Sequence, residues 1–361
     1  MVDREDPTGE QGGEPAGGAR FAGIGSRGET RLSTGIDFTR PGKQCDFLRL
    51  PHSVNRSAYG WLPIPIACIA NGEGPTVLLM SGVHGDEYEG QLALTKLIRS
   101  LEPEAVSGRI IVLPMANFPA AKAGARVSPI DDTNLNRVFP GDPDRAPTHQ
   151  LAHYIEAVLM AEADVVLDLH SGGSSLTYLP TALLEWDAAP EVAERQLALA
   201  KAFGTPYGCY FPGGHGGTSS SAAAARQGAL SLTFELGGGA TLSPATVALT
   251  EAGLSRALHH LGGLRSDDPP PPAPAMTFVA SLTPDSFLFA PDAGLFEPLV
   301  ELGDRVEAGD LAARLHDPTT PWAAPVEVRF ERGGLVLCKR VPSQAERGDC
   351  LYHLGTPMEG R

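Results

Sequence analysis

No apolar run in the 361-residue sequence approaches the ~18–20 residues that a membrane span requires. The first ten residues (M-V-D-R-E-D-P-T-G-E) contain no apolar core segment, so no secretory signal is read and the cytoplasm is the expected location. A basic excess is missing too. The formal net charge is −15, and a field of that sign repels nucleic acid and anionic membrane. Small molecules are therefore the expected partners. Cysteine is sparse: Cys45, Cys68, Cys209, Cys338 and Cys350 are odd in number, scattered and without metal-type spacing. They are read as reduced and mostly structural. No repeat array is present.

What is there is a globular composition, 42% hydrophobic and 20% charged, at a length that suits roughly two domains of ~150 residues. Residues 1–20 are rich in Gly, Glu and Pro and are read as a disordered tail. Residues 61–70 (W-L-P-I-P-I-A-C-I-A) are strand-like but contain two prolines, which predicts an edge strand. From residue 76 apolar strands alternate with amphipathic helices: strands at 76–80, 109–114, 163–170 and 228–235, helices at 91–101, 148–161, 190–203, 219–227 and 244–261. That alternation predicts an α/β layer with a mostly parallel sheet flanked by helices over 21–264. Residues 265–275 form a proline-rich linker, and 276–361 read as a small all-β domain. A turn at 303–310 (G-D-R-V-E-A-G-D) resembles that of a biotinyl- or lipoyl-type barrel but lacks the lysine such a module modifies, so it is read as structural. It could shape the pocket mouth or a homodimer contact; the sequence leaves both open.

The chemistry concentrates where apolar strands run into glycine. His84 and Glu87 lie in S-G-V-H-G-D-E-Y-E-G after the first such strand; His170 ends another, and Glu235 a third. In open α/β sheets the carboxyl ends of strands line the ligand crevice, so these groups can converge. Two imidazoles and a carboxylate suit Zn²⁺ with one position left for water. His84 and Glu87, two residues apart, can clamp one ion from a single turn, and His170 would add the third bond. Such a metal brings the pKa of its water to about 7, and a carboxylate outside the ligand set must then take a proton from it; Glu235 is the candidate. His-x-x-Glu alone is a weak pattern, and Asp168-x-His170 can be an ordinary polar strand end. Glu235 at the end of a buried strand is harder to dismiss, because burying an unpartnered carboxylate is costly. Asn136 and Arg137 offer a neutral donor–acceptor and a planar fork for a carboxylate. Arg126 faces either a substrate carbonyl or solvent.

Four motifs occur together in order: H-G-D-E at 84–87, N-L-N-R at 134–137 with F-P-G at 139–141, D-L-H-S-G at 168–172, and F-E-L-G at 234–237. Together they closely resemble the succinylglutamate desuccinylase/aspartoacylase family of zinc carboxypeptidase-like hydrolases. The resemblance implies one Zn²⁺ per chain held by His84, Glu87 and His170, with Glu235 as general base. It assigns Asn136 and Arg137 to the substrate carboxylate and Arg126 to the scissile carbonyl. Further stretches, N-G-E-G-P at 71–75, N-R-V-F-P-G-D-P at 136–143 and E-L-G-G-G at 235–239, are similar to the branch that deacetylates N2-acetyl-L-2,4-diaminobutyrate in ectoine degradation. The implied reaction is removal of an acetyl group from an N-acetylated amino acid. Alternatives are a deacylase for N-succinylglutamate or N-acetylaspartate, a carboxypeptidase, and a non-catalytic metal- or metabolite-binding protein. For a substrate with a free side-chain amine, Asp131, Asp132 and Glu185 are candidate acidic partners. His215, among glycines at 213–217, is read as a solvated loop residue.

Overall fold

The structure is a computed structural model, and it describes residues 30–212, 217–265 and 270–358. The tail expected at 1–20, His215 and the residues 266–269 of the linker lie outside the described residues.

The chain begins with β1 (Gly42–Pro51), β2 (Trp61–Asn71), β3 (Thr76–Ser81), α1 (Tyr88–Ser100) and β4 (Gly108–Leu113). The prolines of β2 predict an edge position, but β2 is second in the sheet, between β1 and β4. The register explains the difference. β2 pairs with β1 from Trp61 to Ala70, but with β4 only from Ala67 to Asn71. Pro63 and Pro65 fall in the half of β2 that has one neighbour, where a missing N–H is tolerated.

Next come α2 (Phe118–Ala123), α3 (Pro147–Tyr154), β5 (Val165–His170), β6 (Leu176–Tyr178), β7 (Thr181–Glu185), α4 (Pro190–Phe203) and β8 (Tyr207–Phe211). They are followed by α5 (Ser220–Arg226), β9 (Leu230–Glu235) and α6 (Pro244–His260). Strands β4, β3, β5 and β9 run parallel. β7 lies antiparallel to β9, with β8 parallel to β7.

Every residue of β3 and of β5 is buried. Both are central parallel strands covered on two faces, which is why they read as continuous apolar runs. Alternate side chains serve opposite cores: Leu78 and Met80 join Ile111, Leu151 and Ala223, while Val77 and Leu79 join Leu94, Leu199 and Leu254. Burying both faces of these strands is the main force holding the layer together, at about 25 cal/mol per Å² of apolar surface.

Among the described residues after the linker, β10 (Thr277–Ala280) adds to the same sheet, parallel to β8. The remaining strands are β11 (Phe287–Phe289), β12 (Gly294–Pro298), β13 (Arg305–Val306), β14 (Leu311–His316), β15 (Val326–Arg329), β16 (Gly334–Arg340), β17 (Gln344–Ala345) and β18 (Cys350–Pro357). Strands β18, β16 and β13 continue the large sheet, while β15, β14, β12 and β17 form a separate antiparallel sheet over a core with Phe296, Leu315 and Phe330. All five cysteines are free thiols, three of them buried. No helix among the described residues is long and apolar enough to cross a membrane.

Candidate active site

His84 and Glu87 lie between β3 and α1, His170 is the last residue of β5, and Glu235 is the last residue of β9. Parallel register sets His170 directly beside Glu235. The turn that carries His84 needs glycine. A Cβ on Gly85 would fall 2.0 Å from the Ala120 carbonyl carbon, so α2 packs against the turn with no room for a side chain.

The three residues His84, Glu87 and His170 are all buried. His84 Nδ1 lies 2.8 Å from Glu87 Oε1, and His170 Nδ1 lies 2.9 Å from Glu87 Oε2. The two Nδ1 atoms are 3.3 Å apart. One donor atom from each residue falls within 4.8 Å of the others, a group that could hold a metal ion. This is the donor set and closeness that a single ion with bonds of about 2.0–2.2 Å requires.

The opposite ring nitrogens are anchored. His170 Nε2 is 2.8 Å from Asp168 Oδ2, and His84 Nε2 is 3.2 Å from Asn134 Oδ1. A carboxylate oxygen only accepts, so His170 donates from Nε2 to Asp168, which leaves Nδ1, on the Glu87 side, as the atom that would bind an ion. Asp168 Oδ2 also accepts from Ser220 Oγ at 2.5 Å, and the Ser171 N–H donates to Glu87 Oε2 at 3.1 Å.

The charges couple these groups, and an ion bound by them would displace the proton that His170 otherwise carries on Nδ1. Burial alone would raise the Glu87 carboxyl, but the two imidazoles hold it well below the usual carboxylate range. Burial would lower the His170 imidazole, yet Asp168 and Glu87 on either side raise it well above its ordinary value. Burial depresses His84. Glu235 behaves differently: burial, with the nearby Glu87 charge, pushes it up to about 8. Its Oε2 is buried without a hydrogen-bond partner among the described residues.

These residues open onto a cavity of about 480 Å³, also lined by Arg126, Asn136 and Arg137. Arg126 Nη1 is 3.5 Å from Glu87 Oε1 and its side chain is 45% exposed. Arg137 donates to the Asn136 carbonyl at 2.8 Å and makes no ion pair with a described residue. Burial and the neighbouring Arg126 charge both press its pKa down, so this cation lacks an anion at close range. Asn136 Oδ1 accepts from the Ser220 N–H at 2.8 Å, which ties the Asn136 loop to α5.

A family model described as the succinylglutamate desuccinylase/aspartoacylase catalytic domain matches residues 73–261, more than half of the chain. The chain belongs to that family. It is 41% identical over 335 residues to the N-alpha-acetyl-L-2,4-diaminobutyric acid deacetylase of Halomonas elongata, across 93% of this chain and 98% of that protein. The product-bound structure of the ectoine utilization protein EutE (DoeB) from Ruegeria pomeroyi superposes with a TM-score of 0.87 at 37% identity, covering 91% of this chain and 99% of that one. A succinylglutamate desuccinylase/aspartoacylase structure from Rhodobacter sphaeroides gives 0.86 at 36% identity, covering 91% and 100%.

Within this family member, all seven site residues expected from sequence line the one cavity. Several neighbours were not expected. Asn134 and Asp168 hold the two imidazoles, and Ser220 supports Asp168; the N-L-N-R and D-L-H-S-G strings contained the first two, and nothing in the sequence marked Ser220. Tyr178, Phe287, Phe289 and Cys350 reach the cavity from β6, β11 and β18. No sequence signal marks these, because strands distant in the chain bring them. Of the three acidic candidates, Asp131 caps α3 instead, accepting from the Thr148 N–H at 2.8 Å and its hydroxyl at 2.7 Å. Asp132 sits at φ 48° in the same turn and does not line the cavity. Glu185 does line it.

Proposed function

We propose that this chain is a zinc-dependent amidohydrolase that removes the acetyl group from N2-acetyl-L-2,4-diaminobutyrate in ectoine degradation. The observation that carries the reading is the pairing of a His84–Glu87–His170 donor set with a carboxylate, Glu235, whose buried Oε2 has no hydrogen-bond partner among the described residues, one strand away at the same cavity. The 41% identity to the Halomonas elongata deacetylase over nearly the whole chain supports the acetyl group and the diaminobutyrate substrate.

His84, Glu87 and His170 would hold the zinc, which when bound supplies Lewis acidity and an acidified water. Glu235 would take the proton of the attacking water and deliver it to the departing amine. Its raised pKa suits both duties, since a base that must also act as acid works best near the working pH. Arg137, with the Asn136 amide, would grip the α-carboxylate, which gives the guanidinium the anion it lacks. Arg126, which also lines the cavity, would face the amide oxygen as negative charge develops there.

The reading is tested by offering the zinc-loaded protein N2-acetyl-L-2,4-diaminobutyrate, N-acetylaspartate and N-succinylglutamate. Acetate release from the first should dominate, and Glu235→Gln should retain zinc while losing ~10²–10⁴ in rate. Hydrolysis of only an acidic substrate would overturn the diaminobutyrate assignment. An undiminished Glu235→Gln rate would remove Glu235 from its role.

A further inference from the structure

We infer that Glu185 receives the free terminal ammonium of the substrate and so sets specificity for a diamino acid. The inference rests on the deacetylase reading above and extends it from the reacting end of the substrate to its side chain.

Strand register gives the geometry. β7 runs antiparallel to β9, with Thr181 opposite Glu235 and Leu183 opposite Thr233. Residues directly opposite share a face, as do residues two apart along a strand. Glu235, Thr233, Ser231, Leu183 and Glu185 therefore stand on one face of the sheet, and all five line the cavity. The cavity thus follows β9 away from Glu235, floored by these side chains, and Glu185 stands at the far end. Four residues of β7 separate its level from that of Glu235, roughly 13 Å at about 3.3 Å per residue. The two glutamates have side chains of equal length, which can place their carboxylates at a similar separation.

That span matches the substrate. In extended N2-acetyl-2,4-diaminobutyrate five bonds lead from the scissile carbonyl carbon to the terminal nitrogen, roughly 6 Å. A contact of about 3 Å at each end makes up the remainder. With the carbonyl beside Glu235, the terminal nitrogen reaches the Glu185 carboxylate.

The charge arrangement fits as well. Glu185 is half-buried, and its side chain makes no hydrogen bond or ion pair with a described residue. Its backbone N–H is held by Gln196 Oε1 at 3.3 Å, and Gln196 in turn donates to the Ser231 carbonyl at 3.0 Å, which fixes the end of the strand. Neither arginine that lines the cavity pairs with Glu185: Arg126 lies beside Glu87, and Arg137 donates to the Asn136 carbonyl. Burial pushes the Glu185 carboxyl up, the behaviour of an acid that lacks its cation. An incoming ammonium supplies that cation and is itself paired on desolvation. A substrate whose side chain ends in a methyl group leaves the carboxylate unpaired, and a site built this way discriminates strongly.

The test compares kcat/KM for N2-acetyl-L-2,4-diaminobutyrate with that for N-acetyl-L-2-aminobutyrate, which has the same skeleton without the amine. The zinc-loaded wild type should prefer the diamino compound about 30-fold or more. Glu185→Gln should bring that ratio close to one, chiefly through KM for the diamino compound, and Glu185→Asp should restore part of it. Zinc content serves as the folding control. Equal kcat/KM for both compounds in the wild type, a result that needs no variant, would overturn the assignment, as would a ratio untouched in Glu185→Gln; either leaves the deacetylase reading standing. Acetate release from neither compound would overturn that reading, and the assignment with it.

Discussion

Replacing Asp168 with asparagine should loosen the metal without moving the ring that binds it. Asp168 Oδ2 is 2.8 Å from His170 Nε2, and both side chains are buried. Asparagine keeps one oxygen to accept that N–H, so the imidazole retains its place and tautomer, and only the negative charge is lost. The other carboxylate oxygen, Oδ1, is buried with no partner among the described residues, so the new amide group displaces no bond described there. Outer partners of this kind tune metal affinity by about 10–100-fold, or roughly 1.4–2.8 kcal/mol. Competition against a fluorescent zinc chelator should show a dissociation constant raised within that range, with the stoichiometry unchanged. Ser220→Ala removes the second donor to Oδ2 and should cost only a few-fold in affinity. In the Asp168→Asn background it should cost almost nothing further, because the charge through which it acts is already gone. An unchanged zinc affinity in Asp168→Asn would refute the idea that Asp168 polarises His170.

Three further perturbations probe other parts of the structure. Arg137→Lys should raise KM about tenfold or more with a smaller change in kcat, since a lysine cannot form the bidentate grip on a carboxylate; steady-state kinetics decide it. Gly85→Ala should lower stability by about 2 kcal/mol or more, read from urea unfolding, because its Cβ meets backbone atoms of α2 that cannot swing away; an unchanged midpoint would contradict the packing described. His353 is fully buried, donor or acceptor to Ser281 Oγ at 2.8 Å and stacked on Phe287, and burial lowers its pKa to about 3. Its unfolded pKa is near 6.5, so the unfolded chain binds the extra proton and this residue's stability contribution is lost as pH falls from 6.5 toward 3. Between pH 7 and 5.5 the wild type should therefore lose about 1 kcal/mol more than His353→Phe in urea titrations.

Much of the site was legible because its chemistry sits at strand ends, where local sequence carries the signal. A buried apolar run followed by His, Glu and Gly marks both the strand and the turn, and three such junctions converge once the strands lie parallel. β1 was not legible, because G-K-Q-C-D-F-L-R-L-P alternates too weakly and its partner β2 contains two prolines. The C-terminal contribution had no local signature either. β10 pairs with β8 and β18 with β10, so strands separated by long stretches of chain complete one sheet and deliver Phe287, Phe289 and Cys350 to the cavity. Asp131 and Glu185 looked alike as isolated acids. Only the fold shows one spent on capping a helix and the other facing the cavity.

The most direct measurement is zinc content together with acetate release from N2-acetyl-L-2,4-diaminobutyrate, taken before chelation, after chelation and after zinc is restored. About one zinc per chain, with release that stops on chelation and returns with the metal, is the expected result. A protein that takes up no zinc on loading, or that releases acetate at full rate after the metal is stripped, would contradict the role given to His84, Glu87 and His170.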